Sequence, residues 1–302
     1  MRVAAADIGT NTLVFLIAEK TSTGLTAIED AAEIVRLGEG VDRTGDLAPA
    51  AVERTLAALG KFAQRARELG VERVAAVGTQ ALREVKSGAQ FVARAEAILG
   101  GPVEIIAGER EAGLAWAATA AAFPVADDVR QDRTVVDIGG GSTELIVGRQ
   151  TIEDVISIPI GSVRLTERLL KSDPPSEAER AALVNAIDEA LASGPAPRGE
   201  IIGVAGTVTT LCAIHLALDS YDPERVHGAR IARTDIEAVV ARLGRTPLAE
   251  RKTIPGLDPR RADVIYAGGV ILCRVLARAN AKELIVSDRG IRWGLAAELA
   301  EM

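Results

Sequence analysis

The sequence predicts an α/β protein of two related domains with a cleft between them. Two observations predict this fold: a strand–turn–strand motif occurs twice, and strands alternate with helices along the rest of the chain. The first copy is Arg2-Val-Ala-Ala-Ala-Asp7-Ile8-Gly9-Thr10-Asn11-Thr12, followed by the apolar run Leu13 to Ala18. The second starts at Arg133 and continues Thr-Val-Val-Asp137-Ile138-Gly139-Gly140-Gly141-Ser142-Thr143-Glu144, then Leu145-Ile146-Val147. A spacing this wide marks duplicated domains and not a short structural repeat. Each copy reads as a β-hairpin: an apolar strand ending in Asp, a turn of small and hydroxyl residues, and a second apolar strand. Backbone N–H groups and hydroxyls at such a tip can cradle phosphate oxygens, while the Asp holds the metal that neutralises them. Two such hairpins imply two lobes closing on a phosphorylated ligand.

The remaining elements follow in order. Leu25 to Val35 reads as a further strand pair, and Gly38 to Gly45 as turns. Pro49 to Leu69 is a helix, because Val52, Leu56, Leu59, Phe62, Ala63 and Ala66 recur at helical spacing and Gly70 stops it. Val71 to Val77 is a strand, and Gly78-Thr79-Gln80 leads into a helix carrying Arg83 and Glu84. A helix over Phe91 to Leu99 and a strand over Val103 to Ala107 complete an α/β lobe. Gly108 opens a long Ala-rich helix running to about Ala122, read as the bridge between the lobes. The first lobe is placed at 1–115 and the second at 116–302, with the terminal helix 291–302 able to pack back on the first.

In the second lobe, Ser176-Glu-Ala-Glu179 is a capping box that starts a helix ending near Ser193. Gly194 to Gly199 is a loop, and Glu200 to Ala205 a buried strand feeding Gly206-Thr207-Val208-Thr209-Thr210 into a helix. Arg260 to Ala279 reads as a long helix, Glu283 to Val286 as a strand, and Ile291 to Met302 as the terminal helix.

Bulk properties narrow the function. At 302 residues the chain supports two domains, each with its own core. Aromatic residues make up only 3%, so platforms for stacking nucleic-acid bases are scarce. The formal charge of −7 argues against a general polyanion binder, so an anionic substrate must be held by local groups and metal. Cys212 and Cys273 are too few for a disulfide framework and suit a reducing compartment. Asp7 and Asn11 interrupt the N-terminal apolar run where a signal peptide would be continuous. The Ala-rich stretch 112–126 contains Pro124 and falls short of a membrane span. The expectation is a cytoplasmic enzyme without nucleic-acid or membrane partners.

The candidate residues carry unequal weight. A Gly triplet before Ser-Thr could be only a flexible turn, but Asp137 and Glu144 bracket it at the ends of two apolar strands. Burying neighbouring carboxylates costs several kcal/mol unless a cation or donor compensates, and Mg²⁺ held by carboxylates, water and phosphate is a usual solution. The Asp7 hairpin alone would say little; paired with Asp137 it says much. Gly206-Thr207, at the positive end of a helix, is a third phosphate-type loop, against the simpler reading of Thr207 as a helix cap. Glu111 alone is an ordinary helix-start acid, yet the bridging helix should begin near the cleft, where a carboxylate could act as base for water. Arg83 could be solvated or bind phosphate bidentately. His215 and His227 match no metal spacing and read as structural or surface residues. No Ser/His/Asp set or reactive-cysteine context is present, which leaves carboxylate–metal–phosphate chemistry.

Taken together, these motifs resemble the exopolyphosphatase and guanosine pentaphosphate phosphatase (Ppx/GppA) family. Its fold is the actin-like, ribonuclease H-like superfold shared with sugar kinases and Hsp70. The resemblance runs through the two hairpins, Gly78 to Glu84, Gly108 to Ala112, Ile158-Pro-Ile-Gly-Ser-Val-Arg-Leu-Thr166, Gly206 to Thr210 and Ser287 to Leu295. By the family's pattern Glu111 matches the catalytic carboxylate, and Asp137 with Glu144 the metal- and water-positioning acids. Asp7 matches both a phosphate-loop position and a metal ligand. Gly9, Thr10, Asn11, Thr12, Gly139, Gly140, Gly141, Ser142, Thr143, Gly206 and Thr207 match phosphate-loop positions, and Arg83 an arginine facing the phosphates. The implied activity is Mg²⁺-dependent removal of a terminal phosphoryl group from polyphosphate or, alternatively, from guanosine pentaphosphate. A homodimer is a family expectation only.

Three departures stand out. Thr10 replaces a usual Ser and keeps the hydroxyl, and Trp293 replaces a usual acid in the tail. The chain also stops after the second lobe, without the helical extension of long members, which favours short polyphosphate or a nucleotide. Two weaker readings are an ATP-dependent kinase of the same superfold and a non-catalytic alarmone-binding regulator. The first is disfavoured by Gly108 to Ala112 and the Ile158 segment, the second by retention of Asp137, Glu144 and Glu111.

Overall fold

A computed structural model of the chain describes residues 1–125 and 131–302. It divides into two compact units, one comprising Met1–Ala118 with Ile291–Met302 and the other Thr119–Gly290.

The first unit holds a five-stranded sheet of β1 (Arg2–Ile8), β2 (Thr12–Thr21), β3 (Gly24–Ile34), β4 (Arg73–Gly78) and β5 (Val103–Ile105). Their spatial order is β3-β2-β1-β4-β5. The first three strands form an antiparallel meander, and β4 and β5 run parallel to β1. Parallel neighbours need crossover connections, which helices Pro49–Glu68 and Gly88–Leu99 supply. The second unit holds β6 (Arg133–Ile138), β7 (Thr143–Gly148), β8 (Ile152–Ile158), β9 (Glu200–Val204), β10 (Arg230–Ala232) and β11 (Glu283–Val286). Its order, β10-β11-β9-β6-β7-β8, repeats that of the first sheet with the short β10 added at one edge. Each unit therefore has the actin-like, ribonuclease H-like arrangement of a mixed sheet in an α/β domain.

Alternation along the strands decides which side chains meet the helices. In the first unit Ala4, Ala6 and Ile8 of β1 and Leu13 and Ile17 of β2 join Leu56, Leu59 and Phe62 of helix Pro49–Glu68 in one core. Full burial of each Leu, Ile or Phe contributes about 1.5–3 kcal/mol. The intervening residues Val3, Ala5 and Asp7 face the other way, opposite Ala18, Leu16 and Val14 of β2. Helix Ile291–Glu301 covers part of that second face, near β1, β2 and β4. Lys20 Nζ donates to Ala300 O at 2.7 Å, and Arg73 Nη1 to Leu299 O at 2.8 Å. A Cβ at Gly294 would lie 2.3 Å from the Leu114 carbonyl oxygen, so this helix touches helix Gly108–Ala122 backbone to backbone. Trp293 is buried, and its Nε1 donates to Asp30 of β3 at 3.1 Å, beside a two-pronged Arg292–Asp30 ion pair. Trp293 thus fastens the terminal helix.

The second unit repeats the scheme. Val136 and Ile138 of β6, Leu145 of β7 and Ile158 of β8 pack on Leu183, Ile187 and Leu191 of helix Glu177–Ala192. The capping box at Ser176 and Glu179 is present. Asp137, Glu144 and Ser157 lie on the opposite face of the sheet.

Several elements differ from the sequence reading. Leu25 to Val35 is not a strand pair: one strand spans Gly24–Ile34, because β2 runs on to Thr21 and the turn falls at Ser22-Thr23. The turns at 38–45 contain one helical turn, Val41–Thr44, between Gly40 and Gly45, both with left-handed φ near +70°. The helix expected from Arg260 starts later, at Ile265. Asp258 caps Arg260 N at 2.9 Å and closes a separate 3₁₀ turn at Pro259–Arg261. Helices Ser162–Leu169 and Arg233–Arg245 and strand β8 were not anticipated; neither helix has a capping side chain to announce it. Among the described residues no helix is long and apolar enough to cross a membrane. The stretch 112–126 falls largely in helix Gly108–Ala122, and Ala126 lies outside the described residues.

Candidate active site

The second hairpin sets two carboxylates side by side. A four-residue tip, Gly139 to Ser142, fixes the register so that Asp137 on β6 stands directly opposite Glu144 on β7. Opposed residues in an antiparallel pair share a face, with Cβ atoms roughly 4.5–5.5 Å apart. Both are buried, Asp137 at 4% exposure and Glu144 at 1%. The next strand extends the row: Ser157 on β8 is the register partner of Glu144, and its hydroxyl donates to Glu144 Oε1 at 2.6 Å.

The tip itself is shaped from behind. Gly139 N donates to Ser142 O at 3.0 Å, closing the turn. The Gly139 and Gly140 carbonyls accept from the amides of Ser162, Val163 and Arg164, the first turn of helix Ser162–Leu169. Helix-start amides that would otherwise lack partners thus tether the loop. The approach is close enough to require glycine, because a Cβ at Gly161 would lie 2.4 Å from Gly140 C and O. Thr143 Oγ1 donates to Ile160 O at 2.7 Å and ties the hairpin to the same segment.

Gly206 and Thr207 sit in the first turn of helix Ala205–His215, after β9. Thr207 is not the cap: it lies inside the helix, buried, with no capping hydrogen bond at this end. A Cβ at Gly268 would come 2.8 Å from its hydroxyl. Ala205, just before, holds a left-handed φ of 68°, a strained state for a residue with a Cβ. The guanidinium of Arg261 packs over Gly206, where a Cβ would lie 2.2 Å from Nη1. Arg261, Ser157 and Gly161 were missing from the sequence-based set.

The first hairpin repeats the backbone of the second. Gly9 N donates to Thr12 O at 3.1 Å, the counterpart of the Gly139–Ser142 bond. The Asn11 carbonyl accepts from Val35 N and Arg36 N, and the Thr10 carbonyl from Gly38 N. Thr10 and Asn11 are buried, while Gly9, Thr12 and Asp7 are half-buried.

In the same unit, helix Gly108–Ala122 presents Glu111 from its first turn. Arg83, at the end of the short helix Gln80–Arg83, donates to Glu111 Oε2 at 2.7 Å, Ile106 O at 2.8 Å and Gln80 Oε1 at 2.5 Å. Burial is the larger influence on the Glu111 carboxyl and raises its pKa above the ordinary glutamate value, with the Arg83 guanidinium partly offsetting it. A carboxylate held by a fixed cation, with its pKa lifted toward neutrality, suits a proton acceptor.

The remaining titratable candidates are packed or surface groups. His227 stacks on Phe123 with ring centroids 5.1 Å apart and meets Asp288 at 2.9 Å through Nδ1, and His215 is exposed. Burial pushes the Cys212 thiol up to about 11 and the Cys273 thiol up to about 12, far from nucleophilic thiolates.

The donor set fits one kind of metal. Among the described residues no cluster of three or more His, Cys, Asp or Glu side chains could hold an ion. A cation at Asp137 and Glu144 would draw the rest of its shell from water and phosphate oxygens, the habit of Mg²⁺ and not of zinc. Of the three acids matched to metal ligands, Asp7 belongs to the first unit and the other two to the second.

The chain is similar to known proteins along nearly its whole length. The sequence profile of the Ppx/GppA phosphatase family matches residues 16–301. Exopolyphosphatase 2 of Mycobacterium tuberculosis is 37% identical over 319 residues, covering 99% of this chain and 98% of its own. The crystal structure of an Aquifex aeolicus Ppx/GppA family member superposes with a TM-score of 0.84 at 34% identity, covering 100% of this chain and 98% of that one. That of an exopolyphosphatase from Cytophaga hutchinsonii gives a TM-score of 0.90 at 28% identity, covering 100% and 99%.

Proposed function

The chain belongs to the Ppx/GppA phosphatase family, and on that premise we propose that it is an Mg²⁺-dependent exopolyphosphatase. The observation that carries the proposal is the buried Asp137–Glu144 pair at the root of a glycine-rich tip. Two adjacent buried carboxylates cost several kcal/mol unless donors or a cation compensate, and a divalent cation beside a glycine-rich tip would offset that cost and serve phosphate chemistry together. The name of the mycobacterial relative supports polyphosphate as the substrate.

In this reading the amides and hydroxyls of Gly139 to Thr143 and Gly206-Thr207 would hold phosphate oxygens in the second unit, where Asp137 and Glu144 would hold the metal; Asp7 and Gly9 to Thr12 are the matching positions of the first unit. When bound, Mg²⁺ neutralises charge on the transferring phosphoryl group. Glu111 orients a water and takes its proton at a carboxylate oxygen, a role worth about 10²–10⁴ in rate. Arg83 keeps that carboxylate in one orientation. Pre-aimed amides stabilise charge on the equatorial oxygens as water attacks in line.

The test is phosphate release, with and without Mg²⁺, from short polyphosphate, long polyphosphate and guanosine pentaphosphate in one buffer. Release from polyphosphate in preference to the nucleotide is expected, and Glu111→Gln should abolish most of it while the protein stays folded. Preference for the nucleotide would replace this reading with guanosine pentaphosphate phosphohydrolase. Tight nucleotide binding without turnover would make the protein a regulator, and phosphoryl transfer from ATP to an acceptor would make it a kinase.

A further inference from the structure

We propose that Ser157 is a positioning residue whose hydroxyl sets the orientation of the Glu144 carboxylate for a divalent cation. The inference rests on the proposed metal role of Glu144. Three strands in succession place Asp137, Glu144 and Ser157 in one row on one face of the sheet. The Ser157 proton is given to Glu144 Oε1 at 2.6 Å, a short, charge-assisted bond.

The duplicated hairpin supplies an internal control. The equivalent row in the first unit is Asp7, Val14 and Ala32. Where the middle strand carries no carboxylate, the third strand carries no hydroxyl. Glutamate has three side-chain torsions, and ordering it costs rotamer entropy. A serine on a paired strand has one torsion, so its bond to Oε1 transfers the rigidity of the sheet to the carboxylate. Outer partners of this kind orient metal-binding carboxylates, and losing one typically costs about 10–100-fold in metal affinity or activity.

The experiment titrates Mn²⁺ into the full-length protein without substrate and follows the free-ion electron paramagnetic resonance signal. Parent, Ser157→Ala, Ser157→Thr and Glu144→Gln proteins are compared, with melting temperature in metal-free buffer as the check on folding. Ser157→Ala is expected to bind Mn²⁺ about 10–100-fold more weakly, with an unchanged melting temperature, and Ser157→Thr to recover most of the loss. The Mg²⁺ concentration giving half-maximal phosphate release should move in parallel.

Unchanged Mn²⁺ affinity in Ser157→Ala would overturn the assignment. So would parental affinity in Glu144→Gln, or failure of the parent protein to bind Mn²⁺. A parent that releases no phosphate from polyphosphate, while Ser157→Ala still weakens Mn²⁺ binding, would sink the proposed activity and leave Ser157 in place. Hydrolysis with unaltered Mn²⁺ binding in Ser157→Ala would do the reverse.

Discussion

The two hairpins share a backbone and differ in what crosses it. In each, an Asp stands next to last in the first strand, a four-residue tip follows that strand, and the tip's first amide closes on its last carbonyl. In the first, the residue opposite the Asp is Val14; in the second it is Glu144. The tethers differ as well. The first tip is tied by the loop amides of Val35, Arg36 and Gly38, the second by the opening turn of a helix. Duplication supplied one hairpin scaffold twice, and a single cross-strand row separates an acid facing a valine from an acid facing a second acid. In the first unit the further acid is Glu111, which comes from a helix and answers to Arg83.

The largest effect should come from erasing that difference. Glu144→Val gives the second hairpin the facing Asp–Val pair of the first. Phosphate release should fall by about 10²–10³ or more, while the melting temperature holds or rises because a costly buried charge is gone. A drop in melting temperature would mean that Glu144 serves the fold instead.

The next effect concerns Glu111, whose folded-state pKa is raised by burial. A raised acid contributes stability that is full below the ordinary glutamate value and lost as pH rises through the folded value. Melting temperature should therefore decline across that window in the parent and stay flatter in Glu111→Gln. The acid limb of the rate profile should lie above the ordinary glutamate range. Arg83→Met, which removes the lowering influence, should push that limb higher still; a limb that moves down would reject the pairing as the control.

A smaller contrast tests the tethers. An added methyl in Gly161→Ala meets the Gly140 backbone at 2.4 Å, whereas in Gly38→Ala it meets the Thr10 methyl at 2.3 Å. Backbone cannot rotate away and a side chain can. Gly161→Ala should lose about 1–3 kcal/mol and raise KM, with Gly38→Ala at the low end of that range. Equal losses in denaturant melts would show that both tips yield alike.

The smallest effect lies away from both tips. Trp293→Phe removes one hydrogen bond to Asp30, about 0.5–1.5 kcal/mol, and should leave phosphate release unchanged. A loss of activity would tie the tail to the chemistry.

Local, periodic features were legible in the sequence. The Asp137–Glu144 pairing follows from tip length alone, because four residues between alternating strands fix the register. The Ser176 capping box and helix Gly108–Ala122 were readable for the same reason. What could not be read depends on a third partner. Ser157 reaches Glu144 only after a connection with a register shift at Val147/Gly148. Arg261 meets Gly206 across segments far apart in the chain, and Asp30 meets Arg292 across 262 positions. The false start of the helix at Arg260 has a local cause that periodicity ignores: Asp258 and Pro259 form their own turn first. Trp293 departs from the family's usual acid, and only its bond to Asp30 shows what it does instead.

The terminal helix has a consequence for biosynthesis. The first unit is written in two instalments, Met1–Ala118 and Ile291–Met302, with the whole second unit between them. A ribosome adding about 5–20 residues per second needs roughly ten to thirty seconds to make the intervening stretch. Throughout that interval the strand face bearing Val3, Ala5, Leu16 and Ala18 lacks the helix that later covers part of it. The part of that face which the terminal helix covers therefore stays uncovered until the second unit has been made, and the first unit is completed only afterwards.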